Sequence, residues 1–293
     1  KATRMNDAQG RYIEFCKSSF TSLDLSGLSI LLDCANGATY SVAPKVFSEL
    51  GAKVELIGAS PDGININKNC GSTSPNFLKE EIIKGSYDIG IAFDGDGDRI
   101  LIVTSDGEIL DGDDILYILS NNFDKDSGVV GTLMTNKALE MHFKKNNIPF
   151  CRADVGDKYV LHKLIEESWL LGGEPSGHII CLDSAPTGDA IIAALKILES
   201  IKYKNFSLEK SLEGFEKFPQ TLINLKVNNP NKIIVSDRFW SKVTQIEKEL
   251  GDNGRVLIRP SGTEPLIRIM VESDKTGASD DFCNALADLA QTI

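Results

Sequence analysis

Residues 89–99 read IGIAFDGDGDR, and this stretch decides both the class of fold and the first candidate site. Its first five residues are apolar throughout, which predicts a strand that is buried on both faces of a sheet. The strand runs directly into a loop with aspartate at every second position. In parallel α/β sheets, ligands lie beyond the carboxyl ends of the strands. The stretch therefore predicts an α/β fold with a ligand site that begins at Asp94.

Strand and helix signals alternate on both sides of this strand. Before it, we predict strands at residues 30–32 and 54–57 and helices at residues 44–50 and 77–84. After it, we predict helices at residues 113–121, 137–145, 159–167 and 190–201, and strands at residues 129–133, 149–153, 169–171 and 178–182. This alternation is typical of largely parallel sheets that helices cover, and the same kind of unit is used twice.

From about residue 218 the pattern changes to strand, helix, two strands and helix. These elements are predicted at residues 221–227, 237–250, 256–258, 266–271 and 280–289. We therefore predict an α/β protein with two α/β domains, of mixed or parallel sheets, at residues 1–108 and 109–216. A smaller α+β domain follows at residues 217–293.

The composition of the chain excludes several classes of protein. The 293 residues include 42% hydrophobic and 25% charged residues, which is the composition of a globular protein with room for several cores. A net charge of −11 argues against a nucleic-acid partner. No apolar run approaches the roughly 20 residues that span a bilayer, so no membrane partner is expected. The cysteines are scattered without a CxxC pair, which favours reduced thiols and a cytoplasmic location.

The aspartates of the first loop form a candidate metal site. Asp94, Asp96 and Asp98 alternate with glycines that allow the loop to curve sharply. Three carboxylates pointing at one place suit Mg²⁺. An EF-hand is excluded, because Arg99 and Ser105 stand where that motif needs glycine and glutamate. Arg99 can place positive charge beside a phosphoryl group at the metal, so we take it as a candidate catalytic residue.

A second candidate segment, at residues 173–178, reads GEPSGH. Glu174 and Ser176 can bind neighbouring hydroxyl groups of a sugar. His178 can move protons near neutral pH and is a second candidate catalytic residue. On its own this segment is equally typical of an ordinary hairpin.

A third candidate segment, at residues 259–265, reads RPSGTEP and lies between two predicted strands. A guanidinium, two hydroxyls and glycine-permitted backbone amides suit a phosphate monoester, and a second guanidinium lies on the next strand. The candidate phosphate ligands are Arg259, Ser261, Gly262, Thr263 and Arg268. The spacing of a P-loop is absent, so nucleotide hydrolysis is not predicted. A tight β-turn is the structural alternative.

With these three segments in view, the chain resembles the α-D-phosphohexomutases over almost its whole length. Further similar segments are GRYIEFC at residues 10–16, DCANGA at residues 33–38, VGD at residues 155–157 and PLIR at residues 265–268. The loop at residues 94–99, called the metal loop below, is shared across that superfamily. The DCANGA and VGD segments favour the branch that acts on glucosamine phosphates.

The resemblance implies a mechanism and a missing part. A metal-bound phosphoserine passes its phosphoryl group to a sugar phosphate, and the bisphosphorylated intermediate turns around and returns its other phosphate. Members have four domains around a cleft, and this chain corresponds to the second, third and fourth. The serine lies in a first-domain loop of the Ala-Ser-His-Asn type, which the sequence lacks. We therefore expect a fragment that binds a phosphorylated hexosamine but does not turn it over alone.

Other functions stay open at this point. A phosphomannomutase or phosphoglucomutase uses the same mechanism on another sugar, and a non-catalytic phosphosugar-binding module needs no serine. A metal-dependent phosphatase is less favoured, because the sequence shows neither a nucleophile of its own nor a second metal site. A homodimer is among the assemblies that the sequence leaves open.

Overall fold

The computed structural model describes residues 5–22, 24–122, 127–202, 207–227, 229–260 and 265–293. The chain divides into two units. The first takes in described residues within Lys1–Thr135 and Phe143–Gly214, and the second takes in those within Asn136–His142 and Phe215–Ile293. In the described part of the chain, no helix is both long enough and apolar enough to cross a membrane.

The first sheet of the first unit has five strands in the order β2-β1-β3-β4-β5. Its elements are α1 (Ala8–Ser18), β1 (Ser29–Asp33), α2 (Ala43–Glu49), β2 (Lys53–Ile57), α3 (Asn76–Lys84), β3 (Ile89–Phe93), β4 (Ile100–Thr104) and β5 (Ile109–Leu110). The strands β2, β1 and β3 are parallel, whereas β4 and β5 are antiparallel to their neighbours. The central strand β3 is buried at every residue, as its apolar sequence predicts.

The second sheet of this unit has four strands in the order β7-β6-β8-β9. The elements along this part of the chain are α4 (Gly112–Ser120), β6 (Val129–Thr132), α5 (Lys137–Lys145), β7 (Phe150–Ala153), α6 (Asp157–Glu167), β8 (Leu171–Gly173), β9 (Ile179–Cys181), α7 (Ala190–Lys202) and α8 (Leu208–Leu212). The division between the two units falls within α5, after His142. The strands β7, β6 and β8 are parallel, and β8 and β9 form an antiparallel hairpin. The candidate sugar segment is the turn of that hairpin.

The second unit contains a three-stranded antiparallel sheet in the order β10-β12-β11. Its elements are β10 (Gln220–Lys226), α9 (Pro230–Ile234), α10 (Asp237–Leu250), β11 (Gly254–Pro260), β12 (Leu266–Ser273) and α11 (Ala278–Gln291). The core lies between the sheet and the helices, where Phe239 and Ile246 of α10 join Ile267 and Ile269 of β12 and Leu286 of α11. This is the smaller α+β domain that the sequence predicts.

The predicted fold class is confirmed. Helices α8 and α9, each of five residues, were not predicted, and three further differences have local causes. The strands β4 and β5 were not predicted, because β4 follows the metal loop at once and β5 has only two residues. Helix α1 was not predicted either, since its buried residues are Ile13 and Cys16 alone. The domain boundaries after residues 108 and 216 stay predictions.

Packing beneath the first sheet brings the ends of two strands together. Leu31 of β1, Ala92 of β3 and Val103 of β4 pack on Leu78 and Ile82 of α3. In this register the last residue of β1 lies beside Ala92, one position before the end of β3. The loops that follow β1 and β3 therefore leave the sheet at the same edge, as expected for parallel neighbours.

Candidate functional site

The loop after β3 is built around the carboxylate of Asp94. This residue is buried, and its Oδ1 accepts hydrogen bonds from the backbone amides of Gly97, Asp98 and Arg99 at 3.1, 3.2 and 3.1 Å. Gly97 has a φ of +80°, a conformation that favours glycine. Burial raises the pKa of Asp94, and the amide hydrogen bond from Arg99 opposes that rise. These amides engage only Oδ1, which leaves Oδ2 for another ligand.

The three aspartates come together as predicted and fit a divalent cation. One carboxylate oxygen from each of Asp94, Asp96 and Asp98 lies within 4.8 Å of the others. Asp98 Oδ1 is buried and accepts no hydrogen bond from any described residue, so a cation there would satisfy a buried acceptor. The Nε atom of Arg99 lies 3.9 Å from Asp94 Oδ2 and 3.9 Å from Asp98 Oδ1. Its side chain is 46% exposed, so it lies at the open edge of the acidic group.

The segment after β1 supports the metal loop by close backbone contact. Ala38 donates its backbone N–H to the carbonyl of Gly95 at 2.8 Å. A Cβ atom added to Gly37 would lie 2.2 Å from that same carbonyl oxygen, so no larger residue fits here without a shift of backbone. The contact explains why a glycine follows the strained Ala35 and Asn36, whose φ angles are +53° and +48°.

Asp33, the last residue of β1, fixes the position of the segment that follows β1. Its side chain is fully buried and accepts hydrogen bonds from the backbone amides of Ala35 at 2.9 Å and Gly71 at 2.7 Å. Burial raises the pKa of Asp33, whereas the two amides lower it. A buried carboxylate with two amide partners thus organises two loops at the edge of the sheet that carries the metal loop.

The candidate sugar loop is ordered around Glu174. Its Oε1 accepts the backbone N–H of Gly156 at 2.8 Å, and its own backbone N–H donates to the carbonyl of His178 at 3.0 Å. Gly156 has a φ of +129°, which side chains strongly disfavour. Ser176 is exposed at the tip of the loop. The Oε1 atom of Glu174 is therefore fixed by a backbone amide, while the hydroxyl of Ser176 is exposed to solvent.

The metal loop and the sugar loop meet within the first unit. Arg99 and His178 form an isolated antiparallel β-bridge, and the amide of Ile100 donates to the carbonyl of Gly177 at 3.0 Å. The Nδ1 atom of His178 lies 3.0 Å from Asp98 Oδ2. Two candidate segments that are about 80 residues apart in sequence are thus in direct contact.

The ring of His178 is buried rather than exposed. Its Nε2 atom finds no hydrogen-bond partner in the part of the chain that the structure describes. Gly188 lies against the ring, because a Cβ atom added there would lie 2.3 Å from Nε2. A role in proton transfer would use Nε2, since Nδ1 is engaged by Asp98. The predicted part of His178 in proton transfer stays a prediction.

The second unit contains the two arginines of the candidate phosphate segment. Arg259 of β11 and Arg268 of β12 are directly opposite in the antiparallel register. Arg268 is exposed and Arg259 is half-buried. The predicted ligands Ser261, Gly262 and Thr263 lie outside the described residues, so their role stays a prediction.

Sequence reasoning missed several residues that support the site. Asp33 orders the segment after β1 through its carboxylate, Gly37 packs against the metal loop, and Gly156 donates its amide to the sugar loop. None of the three is a predicted ligand. Two of the segments that carry the resemblance, at residues 33–38 and 155–157, contain these supporting residues. Those segments were interpreted as signs of family membership and not as supports of the metal and sugar loops.

Three models of one family match the chain in series. The model of the phosphoglucomutase/phosphomannomutase α/β/α domain II matches residues 10–107, that of domain III matches residues 111–218, and that of the C-terminal domain matches residues 222–289. The chain belongs to the phosphoglucomutase/phosphomannomutase family. Its metal loop lies in the match to domain II, and its sugar segment lies in the match to domain III.

Curated relatives in this family point to one branch. The chain is 53% identical over 277 residues to a phosphoglucosamine mutase of Legionella pneumophila, covering 93% of this chain and 61% of that protein. It is 46% identical over 298 aligned positions to a phosphoglucosamine mutase of Pseudomonas aeruginosa, covering 100% of this chain and 67% of that protein. The chain thus spans about two thirds of the length of these relatives.

A solved structure shows the same fold at lower sequence identity. The Aspergillus fumigatus N-acetylphosphoglucosamine mutase, in complex with GlcNAc-6P and magnesium, superposes with a TM-score of 0.79 at 19% identity. The superposition covers 97% of this chain and 70% of that chain. At this identity the likeness supports the architecture of the family and nothing finer.

Proposed function

We propose that this chain carries the metal-binding, sugar-binding and phosphate-binding parts of a phosphoglucosamine mutase, which interconverts glucosamine 6-phosphate and glucosamine 1-phosphate. One observation supports this most. An acidic triad at the end of β3 is joined by the Arg99–His178 bridge to a sugar loop, in a chain that is 46–53% identical to phosphoglucosamine mutases.

Asp94, Asp96 and Asp98 would hold Mg²⁺ in this function. When bound, Mg²⁺ would polarise the transferring phosphoryl group and stabilise the oxygen that it leaves. Arg99 stands at the open edge of the triad, where its guanidinium can bind a phosphoryl oxygen. Because two of the aspartates lie within 4 Å of this guanidinium, Arg99 also offsets the mutual repulsion of the carboxylates.

Glu174 and Ser176 would bind the sugar hydroxyls. The amide of Gly156 holds one oxygen of Glu174, so its second oxygen is presented in a fixed direction. A fixed carboxylate can accept hydrogen bonds from two neighbouring hydroxyls without losing rotamer entropy on binding. The exposed hydroxyl of Ser176 can donate or accept, which suits a sugar that binds in two orientations.

Arg259, Ser261, Gly262, Thr263 and Arg268 would bind the phosphate that the sugar already carries. Two guanidiniums on opposite positions of neighbouring strands repel each other unless an anion lies between them. A phosphate monoester supplies that anion and accepts several charged hydrogen bonds at once.

The reaction would then be a phosphoryl transfer in two halves. In the first, the bond between phosphorus and the oxygen of a phosphoserine breaks, and a bond between phosphorus and the free hydroxyl oxygen of the sugar forms. The hydroxyl gives up its proton, for which His178 is the predicted acceptor, and the serine oxygen regains one. The second half repeats these changes in reverse with the other phosphate of the sugar. The phosphoserine is expected from outside these 293 residues.

Titration calorimetry of the chain with sugar phosphates tests the binding half of this proposal. In the presence of Mg²⁺, glucosamine 6-phosphate is expected to bind more tightly than glucose 6-phosphate, mannose 6-phosphate or inorganic phosphate. Tighter binding of glucose or mannose phosphate would contradict the proposed sugar and leave the family mechanism standing. No binding of any sugar phosphate would contradict the phosphosugar site itself. A cytoplasmic location and a homodimer stay predictions.

A further inference from the structure

A residue far from the metal loop in sequence lies next to it in the fold. Asp189 immediately precedes α7, and its Oδ1 accepts the backbone amides of Ile191 at 3.0 Å and Ile192 at 3.1 Å. These are the hydrogen bonds of a helix N-cap. The first residue of the helix, Ala190, instead directs its amide outward and donates to the carbonyl of Gly97 at 3.0 Å. The leading amide of α7 therefore binds the metal loop between two of its aspartates.

The carbonyl of Gly97 is a sensitive point of that loop. It belongs to the peptide that links Gly97 to Asp98, so its direction sets where the side chain of Asp98 leaves the backbone. Gly97 has the positive φ noted above, a conformation that only glycine adopts without strain. A fixed donor from Ala190 therefore helps to fix the position of a predicted metal ligand.

The second oxygen of Asp189 is bound by helix α1. The hydroxyl of Tyr12 donates to Asp189 Oδ2 at 2.7 Å, across 177 positions of sequence, and the contact is partly buried. Burial first, and then Asp189, raise the pKa of Tyr12. Burial and Asp189 also raise the pKa of the neighbouring Cys16 to about 12, so both groups stay protonated at neutral pH. Tyr12 is thus a permanent donor to Asp189.

We propose that Tyr12 and Asp189 are positioning residues for the metal loop. They fix the start of α7, and the leading amide of α7 fixes the carbonyl of Gly97 and with it the direction of Asp98. This inference rests on the metal site of the proposed function. It adds that helix α1, which has no ligand-binding side chain among the predicted ones, contributes to metal affinity.

The opposite end of α7 provides a comparison within the same helix. Thr21 donates its backbone amide to Glu199 Oε1 at 2.9 Å, and its hydroxyl binds the same oxygen. The residues around α1 therefore hold α7 near both ends, and among the described residues the hydrogen bond to the metal loop comes from the end at Asp189. If Tyr12 only stabilised α7, loss of the Tyr12–Asp189 contact or of the Thr21–Glu199 contact would have the same effect on the metal site.

Binding of Mn²⁺ alone to the 293-residue chain tests the inference, measured by titration calorimetry and by the paramagnetic resonance signal of free Mn²⁺. We expect D189A to weaken Mn²⁺ affinity by on the order of tenfold, the lower end of the effect of removing an outer partner of a metal ligand, and Y12F to weaken it less, by about threefold. D189N keeps an acceptor for the helix amides and a partner for the tyrosine, and should restore most of the affinity. The double variant Y12F/D189A should bind no more weakly than D189A.

Two matched variants separate positioning from stability. Y117F removes a tyrosine hydroxyl that donates to the carbonyl of Glu213 at 2.8 Å, away from the metal loop. T21A loosens the other end of α7. Both are expected to lower the melting temperature of the metal-free chain as much as Y12F does while leaving Mn²⁺ affinity unchanged.

The outcomes distinguish this inference from the proposed function. Wild-type affinity in Y12F and D189A, with lowered melting temperatures, would mean that the pair is only structural and would overturn the inference. A wild-type chain that does not bind Mn²⁺, or that binds it equally well after D96N, would overturn the metal site and the inference together.

Discussion

Arg259 and Arg268 occupy directly opposite positions on β11 and β12, so two guanidiniums rise from one face of an antiparallel pair. Opposite residues have Cβ atoms about 5 Å apart, and like charges at that distance destabilise a sheet. No hydrogen bond or ion pair to either guanidinium is found among the described residues. A dianion bound between the two guanidiniums would offset this repulsion.

Replacing Arg268 with alanine should separate binding from stability. We expect R268A to weaken binding of glucosamine 6-phosphate by about 1.5–3 kcal/mol, the usual value of a charged hydrogen bond. The same change should leave the free energy of unfolding unchanged or raise it slightly, because it removes a repulsion. Calorimetric titration and urea denaturation measure the two effects.

Arg255 on the neighbouring strand β11 provides the control for this prediction. Its guanidinium binds the fully buried Glu272 through two hydrogen bonds, Nε to Oε2 at 2.7 Å and Nη2 to Oε1 at 3.0 Å. Removing one partner of a buried ion pair costs about 3–5 kcal/mol. R255A should therefore destabilise strongly. Equal loss of stability in R268A and R255A would contradict the prediction that Arg268 binds phosphate without contributing to the stability of the fold.

Gly37 gives a test of the support beneath the metal loop. A methyl group there would collide with the carbonyl of Gly95, so G37A should cost about 1–3 kcal/mol of stability and weaken Mn²⁺ binding. G10A is the matched control, because a Cβ atom at Gly10 meets nothing within 4 Å and alanine favours helix α1 by up to about 1 kcal/mol. Thermal melting and metal titration of both variants check this. A G37A variant with wild-type metal affinity would show that the contact does not support the site.

Glu174 has two tasks that substitution can separate. Glutamine keeps the Oε1 acceptor for the amide of Gly156 and removes the negative charge, whereas alanine removes both. E174Q should melt as the wild type does but bind glucosamine 6-phosphate more weakly by at least about 1 kcal/mol. E174A should lose both melting temperature and affinity. Full sugar affinity in E174Q would exclude Glu174 as a charged sugar ligand.

Asp33 predicts a pH dependence of stability whose sign follows from its burial. Its folded pKa is raised above the unfolded value of about 3.9, so between the two values the folded state binds the proton more tightly. The stabilising contribution is full below the unfolded pKa and is lost as pH rises through the folded pKa. The unfolding free energy of the wild type minus that of D33N should therefore fall over this window, as urea denaturation at several pH values can measure.

Asp106 is expected to change the unfolding free energy with pH in the opposite direction to Asp33. The hydroxyl of Thr104 donates to Asp106 Oδ1 and lowers the pKa of this carboxyl. Its contribution is present above the unfolded pKa and is lost as pH falls through the folded pKa. The difference between the wild type and D106N should therefore rise with pH below the unfolded pKa of about 3.9, whereas that between the wild type and D33N falls with pH above it. Parallel curves for the two variants would contradict the assignment of burial as the cause at Asp33.

The sequence predicted the elements better than the contacts between them. Strand β3 and helices α5 and α10 have the predicted bounds, because each has a clear apolar pattern and a turn signal at its end. Strand β4 was missed, because its apolar run follows the acidic loop, and an antiparallel return cannot be told from the start of a new unit by composition. Helix α1 was missed because most of its surface faces solvent.

The same limit applies to the site. Each candidate loop is contiguous in sequence, so its residue types could be interpreted without a structure. The hydrogen bonds from His178 to Asp98, from Gly156 to Glu174 and from Tyr12 to Asp189 join distant positions. These contacts depend on which segments the fold brings together, and no local sequence pattern encodes that long-range proximity. The candidate binding residues could therefore be named from the sequence, whereas the residues that support them could not.

The measurement that tests this interpretation most directly is mutase turnover by the protein produced from the full reading frame, phosphorylated and supplied with Mg²⁺. Glucosamine 6-phosphate, glucose 6-phosphate and mannose 6-phosphate are the substrates, and D96N is the control that removes one carboxylate of the triad. We predict that glucosamine 6-phosphate is converted to the 1-phosphate with the highest kcat/KM, and that D96N loses this activity. Turnover of none of the three sugars by the wild type, or undiminished turnover by D96N, would contradict it.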